Sequence, residues 1–171
     1  MTGLESLFLE RIVILDGAMG TMIQRFELTE NDFRGDILTD HPIDLQGDND
    51  LLVMTRPDVI EDIHMQYLEA GSDIIETNTF SATSISQEEY GIGHLATEMN
   101  LAGARIAKAA SARHFAETGR QTWVAGSVGP TTVTLSAADD ADDASSRSHG
   151  WDEVHSAYLE QVTALIEGGC D

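Results

Sequence analysis

The sequence predicts an α/β fold: a parallel sheet with helices between its strands, read as the first three βα units of a (β/α)8 TIM barrel. Three observations predict it. Apolar runs near residues 12–15, 73–76 and 122–126 each break into polar or glycine residues at their carboxyl end. Segments with helical periodicity separate those runs, and strand–helix alternation implies a parallel sheet. The turn Glu69-Ala-Gly-Ser-Asp73, which leads into the second run, is echoed by Glu167-Gly-Gly-Cys-Asp171. A fourth strand is therefore expected just after Asp171. A full barrel typically takes about 250 residues, so residues 1–171 read as the N-terminal fragment of one barrel domain. A complete open sheet of three or four strands is the competing architecture.

In chain order, Leu4–Arg11 reads as a short helix entering the first strand. Ile12-Val-Ile-Leu15 is a β-branched run ended by Asp16-Gly17, the pattern of a buried strand. From Thr21 to about Met54 periodicity is weak and turn formers are many; a loop this long is usually functional. Leu51–Met54 reads as a brief strand or a packed segment. Thr55 is placed as N-cap of the next helix, with Pro57 in its first turn and Asp58 three residues after the cap. Ile60, Ile63, Tyr67 and Ala70 mark its inner face and Gly71 ends it. Asp73–Phe80 is the second strand, and 81–93 holds a short helix and a turn. An alanine-rich helix follows over Leu95–Thr118, with Met99, Ala102, Ile106, Ala109 and Ala110 inward and Gly119 as its stop. Thr122–Ser127 is the third strand. Ala137–Ser148, with Asp139, Asp140, Asp142 and Asp143, reads as a solvated acidic loop without EF-hand spacing. The last helix, Asp152–Glu167, is expected to bury Val154, Tyr158, Val162, Leu165 and Ile166.

Charge narrows the function classes. Thirty acids against nine bases give a net charge of −21, and Lys108 is the only lysine. Nucleic acid and anionic membranes need clustered positive charge, so both are disfavoured as partners. An acidic, lysine-poor surface suits high ionic strength, and a melting temperature that does not rise between low and molar salt would remove that reading. No apolar run approaches the roughly 20 residues that span a bilayer, and no secretory leader is read at Met1. The single cysteine, Cys170, fits a reducing cytoplasm and leaves no cysteine-rich metal site within this chain.

Site candidates follow from the strand ends, where parallel α/β folds place their chemistry. Asp16 and Gly17 end the first strand; Glu76, Asn78 and Thr79 lie at the end of the second; Thr131 and Thr132 follow the third. Together they suit a small polar ligand. For Asp16 the other reading is a helix cap, and for Glu76 a structural acid bonded to nearby backbone. No Ser-His-Asp order, Walker loop or His-Glu-x-x-His helix occurs. The histidines at 41, 64, 94, 114, 149 and 155 are scattered, and His64 and His114 read as solvated or capping residues on helices.

Several stretches carry a resemblance: Leu15-Asp-Gly-Ala-Met-Gly-Thr-Met-Ile-Gln24, Asp32-Phe-Arg-Gly35, Asn49-Asp-Leu-Leu52, Glu69-Ala-Gly-Ser-Asp-Ile-Ile-Glu-Thr-Asn-Thr-Phe80, Gly129-Pro-Thr131 and Glu167-Gly-Gly169. In this order and spacing they resemble the homocysteine S-methyltransferase domain and, more narrowly, the N-terminus of cobalamin-dependent methionine synthases. Stand-alone enzymes using betaine or S-methylmethionine are the nearest alternative, and a non-catalytic acidic half-barrel binding module is the other. The resemblance implies a (β/α)8 barrel that binds homocysteine and zinc, with methyl groups arriving by way of cobalamin from methyltetrahydrofolate on other domains. It implies that Asp16 and Gly17 hold the amino-acid end of homocysteine. It also implies that the zinc cysteines lie in later strands, that Cys170 is not one of them, and that this segment alone is inactive.

Overall fold

The computed structural model describes residues 3–135 and 148–171. Helix α1 (Gly3–Glu10) leads into the first apolar run, which joins the sheet through a parallel bridge between Leu15 and Ile74. Strand β1 (Ile74–Glu76) pairs in parallel with β2 (Trp123–Ala125), Ile75 standing opposite Val124. The order across the sheet is first run, β1, β2, all parallel. Helix α5 (Pro57–Ala70) connects the first two and α7 (Ala96–Thr118) the second pair. The α/β alternation expected from sequence is present, with strands shorter than expected.

The echoed turns have one structural meaning. The Asp73 amide donates to the Ile14 carbonyl at 2.8 Å, while the Asp73 carboxylate accepts from the Ile14 amide at 2.9 Å. At the far edge, the Asp171 amide donates to Val124 at 3.0 Å and its carboxylate accepts from the Val124 amide at 2.9 Å. Each aspartate thus clamps the neighbouring strand from both sides of one residue. Each is charge-matched as well: Asp73 by Arg11 and Arg120, Asp171 by Lys108. Arg120 also donates to the Leu68 and Ser72 carbonyls, tying the end of α5 to the start of β1.

Two apolar clusters hold the layers. One gathers Ile23, Phe33, Leu45, Leu51, Leu52, Ile60, Ile63 and Met99; the other, under the sheet, gathers Met65, Leu68, Ile75, Ala107, Ala110 and Val124. Helix α5 feeds both, so it buries Val59, His64, Met65 and Leu68 beside Ile60 and Ile63, while Tyr67 is half-buried and Ala70 exposed. Helix α8 (Trp151–Gly168) crosses α7 closely, and a Cβ on Gly168 would overlap that of Ala104.

The structure corrects several expectations. The first run is not buried: Ile12 is 83% exposed and Ile14 and Leu15 about half so, because the run is a sheet edge that no described element covers. The segment from Thr21 to Met54 is not a structureless loop. It holds α2 (Met19–Gln24), α3 (Glu30–Arg34), a turn at Asn49–Leu51 and α4 (Leu52–Thr55), so Leu51–Met54 is helical rather than a strand. Thr55 closes α4, and Arg56 holds the N-cap position of α5 with Pro57 following. The short helix α6 (Ser84–Gln87) and the turns after it agree with expectation. Helix α7 buries Gly103, Ala104, Ala107 and Ala110 but exposes Ala109, and α8 buries Ala157, Gln161 and Ala164 but exposes Val162 and Ile166. Both faces differ from expectation because the buried stripes carry small and polar residues, Asn100, Gly103 and Ser111 in α7 and Gln161 in α8, rather than large apolar ones. His64 and His114 are buried rather than solvated or capping. Asp139, Asp140, Asp142 and Asp143 lie outside the described residues.

Candidate active site

The strand ends open into a cleft of about 500 Å³ lined by residues 16–20, Gly47, Asn49, Asp50, residues 76–78, Phe80, Ser81 and Ser127. Asp16 ends the first run, its amide donating to the Ile74 carbonyl at 3.0 Å, and its Oδ2 accepts from the Glu76 amide at 3.0 Å. That bond ties the carboxylate to the end of β1. Its Oδ1 is buried and has no partner. Burial pushes the Asp16 carboxyl up to about 6, the Glu76 amide working against the shift and the Glu76 charge adding to it.

Gly17 lies over the Tyr67 ring; a Cβ there would stand 3.2 Å from the Tyr67 hydroxyl, so the backbone reaches the cleft floor without a side chain intervening. Asn78 donates to the Asn49 carbonyl at 2.6 Å and so fastens the 47–51 turn to the strand end. Phe80 is seated by the close approach of Gly129, whose amide donates to the Phe80 carbonyl at 2.8 Å. A Cβ on Gly129 would come within 2.6 Å of the Phe80 ring, which gives the Gly-Pro-Thr stretch a physical role.

Of the sequence-predicted residues, Asp16, Gly17, Glu76 and Asn78 come together on the lining. Thr79 sits beneath it, fully buried; its hydroxyl donates to the Ser127 carbonyl at 2.9 Å and pairs with Thr77 at 2.6 Å, fixing the strand ends against each other. Thr131 and Thr132 stand away from the cleft. Thr131 instead takes its amide to the Tyr158 hydroxyl at 3.0 Å.

Sequence reasoning missed Asp48 and Asp50 as individual residues. Asp50 accepts from the Ser81 amide at 2.9 Å, and Asp48 from Gln87 at 3.2 Å. Burial raises both carboxyls, Asp48 to about 6 and Asp50 to about 7. The ligand-facing charge is one-sided: Asp16, Asp50 and Glu76 line the cleft, and no lysine, arginine or histidine of the described residues does. A cationic group is the ligand feature such a lining favours.

No group of three histidine, cysteine or acidic residues among the described residues is arranged to hold a metal ion. Cys170 is half-buried against the cluster under the sheet, its thiol pushed up by burial, away from the thiolate form that metals bind. No described helix is long and apolar enough to cross a membrane.

Residues 13–171 match the model of the homocysteine S-methyltransferase family. Among solved structures, the chain is similar to the metallated form of the homocysteine methyltransferase MmuM from Escherichia coli, with 22% identity and a TM-score of 0.71 over 98% of this chain and 55% of that one. The oxidised form gives 22% and 0.70 over 98% and 54%; the apo form gives 21% and 0.59 over 94% and 47%. The chain spans about half the length of these solved relatives, and at that identity the likeness is one of fold.

Proposed function

Because the chain belongs to the homocysteine S-methyltransferase family, we propose that its cleft binds homocysteine for methyl transfer to sulfur, yielding methionine. The observation that carries this reading is a strand-end cleft whose charged lining, among the described residues, is wholly acidic, with one oxygen of Asp16 left without a partner. A free amino acid brings an ammonium group, and a charge-assisted bond to a carboxylate is among the stronger contacts a site can make. Asp16 would take the ammonium and Gly17 would allow close approach along the backbone. Glu76 adds to the negative field, Asn78 holds the turn that closes the cleft, and Thr79 braces the strand ends. In the reaction, the homocysteine sulfur loses its proton, forms a bond to the methyl carbon, and the donor–methyl bond breaks with its electrons leaving on the donor.

Zinc is implied by the resemblance, but the described residues do not fit it, and no step is assigned to a metal. The fold we propose for the whole domain is the (β/α)8 barrel, of which the parallel run–β1–β2 order forms the opening. More narrowly, we propose a methionine synthase of the cytoplasm, with methylcobalamin recharged from 5-methyltetrahydrofolate on folate and cobalamin domains of the same protein. Support comes from the stretches that carry that resemblance. Asp32 caps α3 and pairs with Arg56 at 2.6 Å, Phe33 enters the core, Arg34 pairs with Glu30 and donates to the His41 carbonyl, and Asn49 and Asp50 line the cleft.

The test is methionine formation by the full-length protein from homocysteine with methylcobalamin, betaine or S-methylmethionine as donor. Turnover with methylcobalamin is expected. Turnover only with betaine or S-methylmethionine would overturn the narrower reading and keep the broader one; none with any donor would favour a non-catalytic binding module.

A further inference from the structure

We propose that Asp50 is a second ammonium-selecting carboxylate of the cleft, acting with Asp16 to favour ligands that carry a cationic amino group over those that do not. The inference rests on the homocysteine reading and adds a residue from a separate segment, the turn Asn49–Leu51.

Asp50 is only 8% exposed, yet it lines the cleft. Its Oδ1 accepts from the Ser81 amide, and its Oδ2 has no hydrogen-bond partner among the described residues. No basic side chain among the described residues lines the cleft to balance it. A buried carboxylate without a counter-charge is unfavourable by itself. A cation brought by the ligand removes that penalty, so the arrangement discriminates by charge more than by shape. Asp16, half-buried at the end of the first run, likewise lines the cleft, with its Oδ1 unpartnered. The two acids therefore act on one volume from two segments of the chain. Asp48 is the contrast within the same turn: it is buried and bonded to Gln87 but does not line the cleft.

The experiment is a ligand-observed NMR titration of the full chain with L-homocysteine and with 4-mercaptobutanoate, which keeps the thiol and carboxylate but lacks the amino group. Asparagine at position 50 retains an oxygen for the Ser81 amide, so the turn stays held. Asp50→Asn is expected to weaken homocysteine binding roughly tenfold or more and to leave 4-mercaptobutanoate binding equal or tighter. Asp48→Asn should leave the preference between the two ligands unchanged. Asp50→Ser, neutral and smaller, takes its place if the asparagine variant does not fold. If the neutral variant weakens both ligands equally, or neither, Asp50 is only an anchor for Ser81 and the proposal fails while the homocysteine reading stands. If wild-type protein binds neither ligand, both fall.

Discussion

Asp48 and Asp50 are carboxyls whose folded-state pKa values, about 6 and about 7, lie above the ordinary 3.8. Between pH 4 and 7 the folded chain therefore binds more protons than the unfolded one, and these two residues make stability fall as pH rises through that window. His64 acts in the opposite sense. Buried without a partner, its pKa is lowered to about 4, so its contribution is present above pH 6.5 and is lost as pH falls toward 4. Asp50→Asn removes one falling contribution and leaves the rising one. Urea unfolding of this variant should show a gain over wild type that grows from pH 4 to 7.5 and reaches on the order of 3 kcal/mol. A gain in stability beside a loss in homocysteine affinity marks a residue kept for its ligand rather than its fold. An unchanged difference across the pH range would show that Asp50 titrates normally. Asp16, Gly17, Glu76 and Asn78 were legible in the sequence because each stands where an apolar run turns polar. Asp50 was not, because in a chain with thirty acids nothing local separates a buried carboxylate from a solvated one.

Gly103 faces the end of β1 from the middle of α7, and a Cβ there would come within 2.6 Å of the Thr79 methyl. In an exposed helix, glycine to alanine is favourable by about 1 kcal/mol. At Gly103 the sign should reverse, because Thr79 cannot move without breaking its bonds to Thr77 and Ser127. Gly103→Ala is expected to lower stability by about 1–3 kcal/mol in thermal or urea unfolding, from overpacking; a stabilised variant would mean that the strand ends yield. The long elements were legible: α5, α7 and α8 begin and end within a residue or two of the expected positions, fixed by Pro57, Gly71, Gly119 and Gly169. The short helices between 19 and 55 were not, since four to six residues give too little periodicity. The inner faces of α7 and α8 were also misjudged. In each helix the buried stripe recurs every three or four residues but carries small and polar side chains, Asn100, Gly103, Ser111 and His114 in α7 and Gln161 in α8, which a hydrophobic pattern does not select.

Across the molecule, the repeated aspartate clamp sets the sheet's order. Asp73 locks the first run to β1, and Asp171 stands in the same relation to β2, so one βα unit and the next share their joint as well as their hydrogen-bond direction. That repetition brings the ends of the first run and β1, and the loop after β2, to one rim, where the acidic cleft forms. The alternation was visible in the sequence, and so was the echo between Glu69–Asp73 and Glu167–Asp171. The exposure of Ile12, Ile14 and Leu15 was not, because the same apolar run suits a buried strand and an uncovered edge equally. On the proposed function, this rim binds the amino-acid end of homocysteine through Asp16. Calorimetric titration of homocysteine into the full chain and its Asp16→Ala variant tests it most directly. Measurable binding to wild type is expected, weakened at least tenfold by the substitution. Binding of equal strength in a folded Asp16→Ala protein would contradict it.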